Sequence, residues 1–198
     1  MQFVIHYLSK IPKKQTKKLI IVGNGVINEE FGTLIDSYDR IIRINDFKIK
    51  GYEKFVGTKI DIVSYFPNNK ANPLIYQANE VWYLFSKKKV EHNKHFLEVQ
   101  NKKNGFIEKW INEINNVPGM FIYNNGTAGF YTLHMAFILM YDQYSIDLIG
   151  FDHGKSGHYY NPNHIHAKNH NWNLEEKIIN QYISKGFIRN LNPKFIKI

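Results

Sequence analysis

The chain repeats one pattern. A short apolar run ends abruptly in glycine or asparagine: Lys18–Val22 at Gly23-Asn24-Gly25, Arg40–Ile44 at Asn45-Asp46, Ser145–Ile149 at Gly150. Runs this short, bounded by turn residues and rich in isoleucine, read as buried strands. Ile60–Tyr65, Val81–Phe85, Gly119–Tyr123 and Phe187–Asn190 read the same way. Between them lie helical segments. Glu29–Ser37 suits a short helix, and the spacing of Phe106, Ile107, Trp110, Ile111 and Ile114 predicts another over 106–114. Thr127–Tyr141 is almost wholly apolar and should be buried, while Leu174–Ser184 is amphipathic and closes at Gly186. Strands alternating with helices predict an α/β fold: one mostly parallel sheet with helices on both faces. Such sheets take their ligands at the carboxyl ends of the strands, so the residues just after the strands matter most.

After the first strand, Gly23 and Gly25 allow close approach of a ligand to the backbone. Position 28 is Asn, so the three-glycine dinucleotide fingerprint is incomplete. After the second strand stands Asn45, where a dinucleotide-binding protein carries an acid for the ribose. An amide donates and accepts at once, which suits a base, a sugar hydroxyl or a phosphate. A plain turn-forming asparagine is the simpler alternative. Gly126-Thr127-Ala128-Gly129 precedes the most apolar helix. Its N–H groups and the Thr127 hydroxyl suit a carboxylate or phosphate, or Thr127 simply caps the helix.

Five histidines crowd into 153–170: His153, His158, His164, His166 and His170. Without any cysteine a thiolate metal site is excluded, and the spacing matches no common zinc motif, so no metal is expected. Proton transfer near neutral pH is the better use of these side chains. Downstream, Glu175 and Glu176 suit the first turn of the last helix, with Asn173 and Glu176 spaced as a capping box.

Lys+Arg 26 against Asp+Glu 17 gives a charge of +9, which favours an anionic partner. The basic run Lys10–Lys18 reads as a solvated arm or a membrane-surface contact. The opening MQFVIHYL is too short to span a bilayer and carries no signal-peptide cleavage pattern; it reads as an extra strand or a docking segment. The expected organisation is a basic and apolar arm over 1–17 and one domain over 18–198.

Taken in order, these segments resemble glycosyltransferase family 29, the animal-type sialyltransferases, and more loosely the bacterial sialyltransferases of family 42. Val22-Gly23-Asn24-Gly25, Ile35–Asp39, Ile42–Asn45 and Gly51–Lys59 (GYEKFVGTK) are similar to that family's long motif. Gly126–Gly129 with Ile146–Phe151 resembles its short motif, His158-Tyr159-Tyr160-Asn161 its third, and His170 with Glu175 its H-x4-E motif. Ala128 stands where the family usually has a hydroxyl residue, Asn161 where it has an acid, and its disulfide cysteines are missing.

The resemblance implies a Rossmann-like, GT-A-like domain that binds a CMP-sugar and transfers sialic acid to a glycan hydroxyl, with inversion and without metal or cofactor. Gly23, Asn24, Gly25, Asn45, Thr127, Ala128 and Gly129 would hold CMP. His170 would be the base, and His158 with Tyr159 or Tyr160 would donate to the leaving phosphate. Partners would be the CMP-sugar, a glycan or glycolipid acceptor and a membrane surface, in the cytoplasm. Another CMP-activated acidic sugar, of Kdo or legionaminic type, fits the same nucleotide motifs. A catalytically silent nucleotide-binding scaffold is a further alternative. A nucleic-acid-binding module accounts for the charge but finds no binding motif here, and nucleic acid is not an expected partner.

Overall fold

Every ladder in the sheet is parallel. The computed structural model describes residues 2–12, 16–67, 72–85, 96–99, 107–111 and 126–191. The strands are β1 (Lys17–Val22), β2 (Arg40–Ile44), β3 (Ile62–Tyr65), β4 (Glu80–Tyr83), β5 (Ile107–Trp110), β6 (Tyr144–Ile149) and β7 (Ile188–Asn190). They lie in the order β5-β4-β3-β2-β1-β6-β7. The chain runs outward from β1 through β5 on one side, then returns to place β6 against β1 on the other. Val22 and Ile149 end that central pair side by side. This is the switch point at which an open α/β sheet has its crevice.

Parallel strands are buried on both faces, which explains their near-continuous apolar runs. Along β1 the side chains alternate between two cores. Leu19 and Ile21 pack with α1 (Gln2–Lys10), α4 (Ala128–Met140) and α5 (Trp172–Ser184). Ile20 and Val22 pack with α2 (Gly32–Asp36) and α3 (Glu53–Val56). The helix α4 has no polar stripe because Leu133, Met135, Ala136 and Phe137 are all fully buried. Thr127 caps its start, accepting from the Phe130 N–H at 3.1 Å. At the end of α5, Phe187 N–H bonds Tyr182 O (3.0 Å) and Gly186 N–H bonds Ile183 O (2.9 Å) around Gly186 at φ 70°. That is the helix termination expected of the glycine.

Three expectations change. The N-terminal apolar stretch is a helix, not a strand: Val4 and Leu8, four apart on one face, are buried in the main core. The 107–110 segment is the edge strand β5, not a helix. Its clustered apolar residues fit either period, and the ladder to β4, Glu80↔Ile107 through Tyr83↔Trp110, decides it. Trp110 then stacks on Tyr83 at 4.3 Å. The cap of α5 is Asn171, whose Oδ1 accepts from Leu174 N–H at 3.1 Å, not Asn173. The expected strand at 119–123 lies outside the described residues, as do Lys13, Lys14 and Gln15 of the basic run.

Candidate active site

Beyond the carboxyl ends of β1, β2 and β6 opens a cleft of about 410 Å³. It is lined by Gly23, Asn24, Gly25, Asn45, Thr127, Ala128, Gly129, His158, Tyr160 and His170. Of the residues expected to hold the donor or to act in catalysis, Tyr159 alone does not line it.

The two glycines of the β1 turn have a packing reason as well. Gly23 N–H bonds Ile149 O (2.8 Å) and Gly25 N–H bonds Gly150 O (2.9 Å), so the turns after β1 and β6 run against each other. A Cβ on Gly23 would stand 2.4 Å from Gly150 O, and one on Gly25 2.7 Å from the Asp152 carboxyl carbon. Neither position tolerates a side chain.

Asn24 points both ways. Its Nδ2 donates to Ile44 O at 3.0 Å, which ties the β1 turn to β2. Its Oδ1 is buried and has no hydrogen-bond partner among the described residues. A buried acceptor left open costs about 1–3 kcal/mol, so this oxygen is suited to a ligand N–H or O–H. Asn45 stands at φ 50°, a left-handed conformation that asparagine tolerates better than most residues. Its Oδ1 accepts from Phe66 N–H at 3.2 Å. The turn-forming explanation of Asn45 therefore holds, and the residue lines the cleft as well.

The anion site expected at the start of α4 is already filled by the protein. Glu175 in the first turn of α5, 2% exposed, accepts from the Thr127 N–H (2.7 Å) and the Thr127 hydroxyl (2.6 Å). Its carboxylate sits where a helix N-terminus favours negative charge. Thr127 is thereby occupied, and Glu175 proves to be a staple between two helices rather than a simple first-turn acid. Gly129 is crowded by Phe151: a Cβ there would come within 2.9 Å of the ring.

The two tyrosines divide. Tyr159 N–H bonds Asn24 O (2.9 Å), and its hydroxyl accepts from the Lys48 N–H (2.9 Å) and donates to the Lys48 carbonyl. Burial raises its hydroxyl to about 12. Tyr159 is therefore a clamp on the loop after β2 and is withdrawn from the cleft. Tyr160 faces it, with its ring 5.1 Å from His158.

His158, His164 and His166 gather on a turn fixed by reciprocal backbone bonds between His158 and Asn161 (3.0 and 2.9 Å). Their ligating nitrogens all lie within 4.8 Å of one another. Burial, helped by the neighbouring His164 and His166, lowers His158 to about 4, against an opposing pull from Asp46. His158 is therefore a neutral imidazole at neutral pH, which still offers one N–H. His170 lies at the far edge of the same bed, 5.5 Å from Trp172.

Sequence reasoning passed over Asp46, Phe66, Asp152 and Trp172, which also line the cleft. The signal for Asp152 was present, since it directly follows Gly150-Phe151 at the end of β6. It bonds the Gly154 N–H at 3.1 Å and the Ser156 N–H at 3.2 Å, and accepts from the Ser156 hydroxyl, so it organises the loop that carries the histidines.

Comparison with known proteins places the chain in a family. The profile of glycosyltransferase family 29 (sialyltransferase) matches residues 3–118. The chain belongs to this family. A CMP-N-acetylneuraminate-beta-1,4-galactoside alpha-2,3-sialyltransferase of Rattus norvegicus is 37% identical over 71 residues, covering 34% of this chain and 19% of that protein. The chain thus matches about a fifth of that relative's length. A type 2 lactosamine alpha-2,3-sialyltransferase of Pongo abelii is 25% identical over 216 residues, covering 88% of this chain and 64% of the relative. Among solved structures, a mammalian sialyltransferase superposes with a TM-score of 0.68 at 17% identity, covering 96% of this chain and 78% of that one. The sialyltransferase CstII from Campylobacter jejuni, in complex with cytidine-5'-monophosphate, gives 0.57 at 20% identity over 91% and 82%. These likenesses establish the Rossmann-like sialyltransferase fold.

Proposed function

We propose that the protein is a sialyltransferase that moves sialic acid from CMP-sialic acid to a glycan hydroxyl, in one inverting displacement whose chemical step needs no metal. The observation that carries this reading is the meeting, in one cleft, of an open amide acceptor on Asn24 with the imidazoles of His158 and His170. CMP offers amino and hydroxyl donors to Asn24 Oδ1 and a phosphate to the histidine side. Family membership supports the reading. So do the folds of a CMP complex and of a mammalian sialyltransferase bound to Gal-beta-1-3GalNAc-ortho-nitrophenol.

In this mechanism His170 accepts the proton of the acceptor hydroxyl as its oxygen attacks the anomeric carbon. The bond from that carbon to the phosphate oxygen breaks, and CMP leaves with the electron pair. His158, neutral and carrying one N–H, donates to the phosphate with Tyr160 beside it, so charge developing on the leaving group meets fixed donors. Attack opposite the leaving group inverts the carbon.

The same reading puts the enzyme in the cytoplasm, working on a glycan or glycolipid near a membrane. Among the described residues no helix is long and apolar enough to cross a bilayer. The apolar side of α1 is spent on the core through Val4 and Leu8, so a surface contact would rest on the exposed Lys10, Lys17 and Lys18. Flotation with anionic liposomes checks this.

The deciding experiment measures CMP release from a panel of CMP-sialic acid, CMP-Kdo and CMP-legionaminic acid with galactoside acceptors. Release from CMP-sialic acid should fall about 10²-fold or more in His170→Ala and in His158→Ala. No release from any donor sinks the enzyme, and release from another donor alone renames its sugar.

A further inference from the structure

The histidine bed holds more imidazole than one leaving group needs. His158 and His164 stack face to face, with ring centroids 3.7 Å apart and planes 16° off parallel, and His166 lies 5.0 Å from His164 and 5.6 Å from His158. All three are partly exposed at the cleft. Among the described residues, neither His158 nor His164 has a hydrogen-bond partner for a ring nitrogen. His166 has one: its Nε2 lies 2.5 Å from the Ser156 carbonyl. A carbonyl only accepts, so that nitrogen carries the proton, and in the neutral ring Nδ1 is the one that keeps a lone pair. Metal-binding histidines are oriented in this way, with the far nitrogen donating to a carbonyl. The turn is rigid besides, because the Asn161 carbonyl accepts from both the His158 and the His164 N–H, each at 3.0 Å.

We propose that His158, His164 and His166 form a binding site for a borderline divalent cation of the zinc class, and that a cation held there competes with the nucleotide phosphate for His158. Three imidazoles and a fourth, solvent-facing position are the donor set such ions take. Tetrahedral geometry at Zn–N distances of about 2.0–2.1 Å sets the nitrogens about 3.4 Å apart. From within 4.8 Å, side-chain rotation closes the remainder. Oxygen-seeking Mg²⁺ and Ca²⁺ have no reason to prefer the site. The cation would not assist transfer. It would take the lone pair of His158 and turn its ring away from the phosphate, making the site a metal-sensitive brake. The competition half rests on the transferase reading; the binding half does not.

The test titrates Zn²⁺, and Co²⁺ for its visible absorption, into the full chain without a polyhistidine tag, followed by equilibrium dialysis. One equivalent should bind, with no response to Mg²⁺. Affinity should drop about tenfold or more in His164→Gln and in His166→Gln, each verified as folded by its thermal melt. Calorimetric CMP titrations follow, and saturating Zn²⁺ should weaken CMP binding about tenfold in the natural chain but not in His164→Gln. Absence of Zn²⁺ binding, or binding indifferent to both variants, overturns the site. CMP binding that is unchanged or tighter with Zn²⁺ overturns the competition. Zn²⁺ binding in a chain that binds no CMP would defeat the transferase reading and the competition while the cation site stands.

Discussion

Two regions carry most of the residues by which the family is recognised, and they use them in opposite ways. In the first, 32–59, Asp36, Arg43 and the backbone of Val56–Lys59 turn inward on one another, and only Ile44, Asn45 and Asp46 at the end of β2 line the cleft. Asp36 accepts from the N–H groups of Thr58 (2.9 Å) and Lys59 (3.0 Å) and from the Thr58 hydroxyl (2.9 Å). Arg43, fully buried, donates to Lys59 O (2.9 Å) and Val56 O (3.0 Å). Gly32 and Gly57 are glycines because a Cβ would stand 2.1 Å from Glu53 O and 2.4 Å from Asp36 Oδ1. The GYEKFVGTK stretch is thus a knot that holds the end of β2 in place. In the second region, 150–170, Asp152, the Tyr159 hydroxyl and one nitrogen of His166 are spent on the backbone, while the rings of His158 and His164 face the cleft. A family signature can therefore mark a support or a reactive surface, and hydrogen-bond satisfaction separates the two.

The contrast breaks most easily at Arg43. Arg43→Ala leaves two carbonyls unpaired and a hole in the core, and should cost about 3–4 kcal/mol of stability. Turnover of the protein that remains folded, below its melting midpoint, should hold within about threefold. Denaturant melts and turnover on one preparation check both. A collapse of turnover at full stability would move Arg43 into the chemistry.

A buried histidine outside both regions gives the next largest effect. His134 in α4 donates from Nδ1 to Phe130 O (2.8 Å) and meets the Tyr182 hydroxyl at 3.0 Å. Burial lowers it to about 4, although the Phe130 bond pulls the other way. The unfolded chain, titrating near 6.5, binds the proton first, so His134 contributes stability above that pH and loses it as pH falls toward 4. The loss should approach about 3 kcal/mol. His134→Phe should flatten that part of the stability profile. An unchanged slope would assign acid sensitivity to the cleft histidines instead.

How much of this was legible follows from which forces act locally. β2 and the turns after β1, β2 and β6 were legible because strand burial and turn chemistry are written in adjacent residues. The cleft lining followed from the rule that parallel sheets bind at their carboxyl ends. What escaped was decided across the chain. Ile107–Trp110 became a strand through its ladder to β4. Thr127 lost its expected ligand to Glu175, 48 residues away. Whether Tyr159 or Tyr160 faced the cleft depended on Lys48, on another loop. Nothing near those residues in sequence records the partner.

On the cleft side, Asn24→Ala removes the open acceptor Oδ1 together with the Nδ2 tie to Ile44. CMP affinity should fall about tenfold, near 1.4 kcal/mol, by calorimetry. If affinity holds and only the melting temperature falls, Asn24 belongs with the knot and the contrast loses its clearest ligand-facing amide.

The finest division lies between two neighbours. Tyr159→Phe deletes the hydroxyl that both accepts from and donates to Lys48, leaving the ring against Tyr52 at 5.3 Å. Two lost bonds at a partly exposed loop should cost about 1–2 kcal/mol. CMP affinity should change little, since the side chain does not line the cleft. Tyr160→Phe touches no protein hydrogen bond among the described residues, so stability should stay within about 0.5 kcal/mol. Its hydroxyl is one of the few donors beside His158, so turnover should fall several-fold with CMP affinity less affected, as for a donor whose bond strengthens when charge develops on the leaving phosphate. Paired melts and turnover assays on the two variants decide the matter. The reverse pattern, with Tyr160→Phe melting early and Tyr159→Phe slowing turnover, would mean that the loop after β2 moves when donor binds and exchanges the roles of the two rings.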